Sequence, residues 1–151
     1  MTVEVENLTK IYVSGGDETV RAVDDVSFTA KEGELFTLLG PSGCGKTTTL
    51  RCLAGLESVN GGQIKINGEV VSSGDKYVQP EHRDIGFVFQ SYALWPHMTA
   101  GQNIRYALKA RDWPKSDRDD RIQEVLEMVG LPDVGDRYPS ELSGGQQQRI
   151  A

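Results

Sequence analysis

Glycines at positions 40, 43 and 45 stand directly before Lys46 and Thr47, a spacing that can grip a polyphosphate. In the string Gly40-Pro41-Ser42-Gly43-Cys44-Gly45-Lys46-Thr47 the glycines let the backbone curl so that successive N–H groups point inward. A helix starting near Lys46 would aim the positive end of its dipole at the same point. Lys46 would then reach the β- and γ-phosphates of ATP, and the Thr47 hydroxyl, with Thr48 beside it, would hold Mg2+. Cys44 has no chemical duty that can be derived; it reads as a small filler whose modification would block the nucleotide. About a hundred residues later comes Leu142-Ser143-Gly144-Gly145-Gln146. Ser143 can cap a helix beginning around Gly145, while Gly144 and Gly145 expose backbone N–H groups to an anion. At background frequencies the first string arises in roughly one chain of this size in 200, the second in roughly one in several thousand. Their joint occurrence therefore favours chemistry over two chance turns.

Several elements must position these strings. Residues 3–5 alternate apolar and charged and read as a strand, followed by a Ser14-Gly15-Gly16-Asp17 loop and a second strand over 20–29. Residues 35–39 form a short apolar run of the kind buried in a parallel sheet, leading straight into the glycine-rich loop. Residues 47–56 read as a helix that ends at the Gly55 and Gly61 breakers. Residues 64–71 predict a hairpin about Asn67-Gly68, and 85–89 another apolar strand ending at Gln90. Thr99 with Gln102 makes a capping box for a helix to about Ala110. Ser116 is expected to cap a further helix, with Ile122, Val125, Leu126 and Val129 on its core face and Gly130 as its stop. The order predicts an α/β core with a β layer before it and a helical layer after it.

Bulk properties narrow the function classes. The chain has 151 residues with 38% hydrophobic and 25% charged content, ordinary for a globular domain. A net charge of −6 argues against a nucleic-acid partner, which needs a basic face. If Cys44 and Cys52 share one helix they stand roughly 12 Å apart. That is too far to bridge, which fits a reduced, cytosolic setting. The first thirty residues lack an apolar core, so no signal peptide is expected. Residues 85–104 carry no Asp, Glu, Lys or Arg, yet Gln90, Ser91, Pro96, His97, Gln102 and Asn103 rule out a membrane span there.

The two strings together resemble the nucleotide-binding subunits of ABC transporters, from the first residue to the last. The resemblance implies a P-loop NTPase core with an N-terminal antiparallel β subdomain and a helical signature subdomain, divided as 1–90 and 91–151. It implies that Ser143, Gly144, Gly145 and Gln146 face the γ-phosphate held by a partner subunit, so that a homodimer or paired cassette closes head-to-tail on two ATP. Tyr12 matches the family's aromatic that stacks on adenine. Gln90, closing Ile85-Gly86-Phe87-Val88-Phe89-Gln90, matches the glutamine that senses Mg2+ and the attacking water, a catalytic role shared with Lys46. Ser91-Tyr92-Ala93-Leu94-Trp95-Pro96-His97-Met98-Thr99 resembles the groove that receives a coupling helix from transmembrane permease subunits; His97 is not taken for the family's catalytic histidine. The wording of residues 40–49, 53–57, 90–99 and 138–142 is similar to importer ATPases for sugars, polyamines or ferric iron. Such subunits work peripherally on the cytoplasmic face of the membrane, with an external solute-binding protein as an indirect partner.

The family also calls for an apolar run ending in Asp-Glu and a later histidine, and neither follows the signature before Ala151. The chain is therefore expected to be the front part of a longer, truncated domain that binds ATP without turning it over. Two other readings remain open. One is a non-transport ABC ATPase: a DNA-repair member is disfavoured because the 52 positions from Gln90 to Leu142 leave no room for a long coiled coil, and translation-type members usually carry two cassettes on one chain. The other is a module that holds nucleotide without hydrolysing it.

Overall fold

Alternation of apolar and polar residues is longest at the start of the chain, and a strand much longer than residues 3–5 results. In the computed structural model, which describes residues 1–13 and 18–151, β1 spans Val3–Val13 and β2 spans Thr19–Ala30. The loop expected at Ser14-Gly15-Gly16-Asp17 lies outside the described residues. β3 (Gly61–Ile66) and β4 (Glu69–Ser72) close a four-stranded antiparallel sheet in the order β2-β1-β3-β4. Asn67 and Gly68 form the β3–β4 turn, both with positive φ (52° and 80°), the geometry that makes Asn-Gly a hairpin signal.

β1 is not straight. Its register with β2 shifts between Val5 and Leu8 and again before Ile11. Asn7 and Asp25 sit there at φ 50° and 51°, joined by an Asn7 Nδ2 donor to Asp25 Oδ1 at 2.7 Å. Extra residues of this kind twist a strand, and they re-aim the end of β1 that carries Tyr12.

The chain divides into two compact units, Met1–Phe87 and Val88–Ala151. In the first, helix α1 (Lys46–Ala54) packs beneath the sheet. Leu8, Ile64, Val5, Val23 and Val71 meet Cys52 of α1 in one apolar core. Each such aliphatic side chain contributes about 1.5–3 kcal/mol when fully buried. Gly55 ends α1 in the left-handed conformation (φ 73°), as its position after the apolar periodicity requires.

In the second unit, α2 (Ala100–Ala110), α3 (Arg118–Met128) and α4 (Gly144–Ile150) pack around Ala100, Ile104, Ile122, Leu126, Leu131 and Leu142. Thr99 and Gln102 form the expected capping box at the start of α2, and Gly130 (φ 69°) stops the chain after α3. Ser116 does not cap α3. Pro114 leads into a 3-10 turn, Lys115–Asp117, that runs directly into the helix, so Ser116 lies inside the turn and its hydroxyl donates to Asp117 Oδ1 at 2.5 Å.

Two further expectations are corrected. Residues 35–39 read as a buried parallel strand and 85–89 as an apolar strand, yet neither carries regular secondary structure. Leu35 is 94% and Leu39 88% exposed. An apolar run becomes a strand only beside a ladder partner. The sheet of described residues is antiparallel and pairs with neither run. Phe36 alone of its run finds a ring, stacking on Phe28 of β2 at 4.8 Å.

Candidate functional site

The glycine-rich loop enters α1 without a side-chain cap. Gly45 holds the cap position at φ 91°, and no side chain bonds the first-turn N–H groups. Those groups have no intrahelical partner, so the start of α1 presents donors that a ligand can take up. A Cβ at Gly45 would collide with the carbonyl oxygen of Ala22 on β2, so both conformation and space demand glycine there. At Gly40, a Cβ would stand 2.6 Å from Cys44 Sγ. Pro41, Ser42, Gly43, Cys44 and Thr47 are exposed, while Gly45, Lys46 and Thr48 are half-buried.

Lys46 folds back over its own loop. Its Nζ donates to Gly40 O at 2.8 Å and Pro41 O at 2.7 Å and lies 3.5 Å from Cys44 Sγ. The ammonium thus sits inside the curl of the loop, on neutral acceptors that a phosphate oxygen can replace. The threonines divide by role. Thr49 is buried and its hydroxyl turns back to Gly45 O at 3.0 Å. Thr47 is exposed on the first turn, which fits a hydroxyl ligand to Mg2+ carried in on phosphates. Among the described residues, no cluster of three His, Cys, Asp or Glu could hold a metal.

Tyr12 lies one strand away. It pairs with Val20 of β2, two positions before Ala22, whose carbonyl abuts Gly45. At about 3.3 Å per strand residue, Val20 stands roughly 7 Å along β2 from that contact. The ring is 36% exposed, with Lys10 Nζ 5.1 Å from its centroid.

Two buried cations in this unit escaped the sequence reading. Arg83, 3% exposed, donates to the carbonyls of Cys52 (2.8 Å) and Leu53 (2.9 Å) at the last turn of α1. It also donates to Val78 O (2.8 Å) and Val71 O (3.3 Å). A fixed positive charge at the carbonyl end of α1 complements its dipole and holds the helix in line with the loop. Burial pushes the Arg83 guanidinium down from its ordinary value, with Tyr77 and Cys52 opposing. Lys10, the second cation, pairs with Glu57 Oε2 at 3.1 Å.

In the second unit Gln90 is exposed, and Tyr92 and Ala93 follow with positive φ (62° and 54°). Left-handed backbone costs a non-glycine residue roughly 1–2 kcal/mol. Asn103 of α2 fixes the segment beyond: its Oδ1 accepts from Trp95 N at 2.8 Å, and its Nδ2 donates to the Trp95, Met98 and Thr99 carbonyls. The turn so held presents Trp95 edge-on to both His97 and Tyr106. Beside it, His97, Met98, Gln102, Arg105, Tyr106 and Lys109 line a hollow of about 380 Å3.

The second glycine string has the cap that its sequence implied. Ser143 Oγ accepts from Gln146 N at 3.3 Å, and Gln146 Oε1 accepts from Ser143 N at 2.9 Å. That box leaves the Ser143 hydroxyl hydrogen free to donate outward. Ser143, Gly144 and Gly145 are exposed, and Tyr92 Oη lies 3.5 Å from where a Gly144 Cβ would be. Glu141 Oε2 accepts from Tyr138 N at 2.7 Å and squares off the preceding turn. The structure thus gathers Tyr12 and the Lys46 loop in one unit, and Gln90 and the Ser143 string in the other.

Comparison with known proteins gives the same family from several directions. The ABC transporter family profile matches residues 23–151. The trehalose/maltose import ATP-binding protein MalK of Thermococcus litoralis is 53% identical over 134 residues, 87% of this chain and 36% of that protein. The spermidine/putrescine import ATP-binding protein PotA of Pseudomonas aeruginosa is 50% identical over 98% of this chain and 38% of its own length. The Fe(3+) ions import ATP-binding protein FbpC of Photorhabdus laumondii is 50% identical over 99% of this chain and 40% of its own. A solved dimeric bacterial ABC transporter cassette superposes with a TM-score of 0.81 at 32% identity, covering 98% of this chain and 66% of the cassette. The chain thus spans between 36% and 40% of the length of these curated relatives. Among the described residues no helix is long and apolar enough to cross a membrane.

Proposed function

We propose, for a chain that belongs to the ABC transporter family, that it is the front part of the ATP-binding and ATP-hydrolysing subunit that powers solute import. Residues 1–90 carry the β subdomain and the phosphate loop, and residues 91–151 the helical subdomain with the signature. The loop from Gly40 to Thr48 holds the triphosphate, with Lys46 on its terminal phosphates and Tyr12 under the adenine; Thr47 would hold Mg2+. Bound Mg2+ would supply charge neutralisation at the phosphates; the chain's own part is to bind and to position. Ser143 through Gln146 are reserved for the nucleotide of a partner subunit.

The observation that carries this reading is the pairing of an uncapped, glycine-led helix start holding Lys46 with an exposed, capped Ser143-Gly144-Gly145 string on one chain. Relatives named for a sugar, a polyamine and ferric iron match at 53%, 50% and 50% identity, so this part of the chain does not set the solute. Solute choice belongs to the permease subunits, which would dock on the 90–99 segment at the cytoplasmic face, and to an external binding protein.

Ser143→Arg tests the partner assignment. In the full-length subunit it leaves ATP affinity intact and abolishes ATP-dependent dimers in sedimentation. Dimers that survive the substitution would overturn the assignment of Ser143 to the neighbour's nucleotide.

A further inference from the structure

A lysine seldom lies buried in a sheet without a task, and Lys10 of β1 is 7% exposed. Its ammonium meets three groups. Glu57 Oε2 lies at 3.1 Å, Ser58 Oγ accepts at 3.4 Å, and the Tyr12 ring centroid is 5.1 Å away. Glu57 and Ser58 belong to the segment that leaves α1 after Gly55. That segment is stitched to β1 twice more: Asn60 Oδ1 accepts from Ile11 N at 2.8 Å, and Asn60 N donates to Thr9 O at 2.9 Å. The strand end that carries Tyr12 is thereby tied to the far end of the helix whose near end carries the phosphate loop.

We infer that Lys10 is a positioning residue for the nucleotide base: its Glu57-anchored ammonium occupies one face of the Tyr12 ring and holds the other face open for adenine. Attraction between a cation and the ring's electron-rich face fixes the ring's tilt. The carboxylate of Glu57 fixes the cation in turn. The base can then stack only on the solvent side, at a distance from the loop set by the Lys10–Glu57 link. This inference rests on the proposed stacking role of Tyr12.

The test separates the two. ATP and inorganic tripolyphosphate are titrated into the protein and its variants; tripolyphosphate reads the loop and ignores the base. Tyr12→Leu lowers ATP affinity by roughly tenfold and leaves tripolyphosphate unchanged. Lys10→Met lowers ATP affinity by roughly threefold to fivefold, again sparing tripolyphosphate. In the Tyr12→Leu background Lys10→Met has no further effect, because its action runs through the ring. Glu57→Gln, which keeps the side-chain length, lowers ATP affinity by about twofold and decides the matter if Lys10→Met fails to fold. If Tyr12→Leu is silent, the stacking role itself fails. If Tyr12→Leu weakens ATP while Lys10→Met and Glu57→Gln do not, or if they weaken tripolyphosphate equally, the positioning role of Lys10 is overturned and the stacking role stands.

Discussion

Replacing Lys46 with alanine separates nucleotide binding from fold stability. In the ligand-free loop the ammonium rests on Gly40 O and Pro41 O at 2.8 and 2.7 Å. Gly40 and Pro41 are exposed, so water takes the place of the lost donor and stability changes by less than about 1 kcal/mol. With ATP present, the same ammonium exchanges two neutral carbonyls for phosphate oxygens of full charge. A charge-assisted bond of that kind is worth about 1.5–3 kcal/mol, or roughly tenfold to 150-fold in affinity. Because two good acceptors are given up, the lower part of that range is expected, near tenfold to thirtyfold. Calorimetric titration with Mg–ATP at fixed ionic strength reads the affinity, and thermal unfolding without ligand reads the stability. The loss should be large for ATP and small for AMP, whose single phosphate does not reach the ammonium. Unchanged ATP affinity in a folded variant, or an equal loss for AMP, would refute the assigned role.

Other residues answer to simple perturbations. Arg83→Met takes a donor from the Cys52, Leu53, Val71 and Val78 carbonyls, of which Cys52 O keeps Gly55 N and Val71 O keeps Val78 N, and should destabilise the protein by about 2 kcal/mol or more, read as a lowered urea midpoint at unchanged m-value. Cys44 is exposed and Cys52 wholly buried, and burial pushes the Cys52 thiol above its ordinary value of 9.0. At pH 8 an alkylating reagent should therefore label Cys44 alone, seen by peptide mass, and saturating ATP should slow that labelling. The Lys65 ammonium, then the Gln63 amide, hold the Glu6 carboxyl below its ordinary value of 4.5. A depressed carboxylate stabilises the fold above its unfolded pKa and loses that contribution as pH falls through the folded one. Glu6→Gln should accordingly flatten the stability profile below pH 4.5 and leave its slope near pH 7 unchanged.

Local chemistry was legible wherever a short stretch determines its own shape. The Asn67-Gly68 turn, the Thr99–Gln102 and Ser143–Gln146 boxes and the Gly55 and Gly130 stops all follow from residues within a few positions of one another. Readings failed where the deciding partner is distant or not paired. Residues 35–39 and 85–89 have strand-like composition, yet a strand is a property of two segments, and neither finds a ladder. Ser116 lost its cap to the turn that Pro114 starts. Lys10 and Arg83 were missed for a related reason. Lys10 meets Glu57, and Arg83 meets Cys52, across dozens of residues. Lys10 alone carries a sequence signal, a polar residue that continues the inward alternation of Val5 and Leu8 after the bulge.

The most direct measurement is a backbone amide NMR titration of the protein with Mg–ATP. The largest shifts should fall on Gly43, Gly45, Lys46 and Thr47, accompanied by the ring resonances of Tyr12. Shifts concentrated elsewhere, in the helical unit around Arg105 and Tyr106 for example, with the Lys46 loop silent, would contradict triphosphate binding at the start of α1.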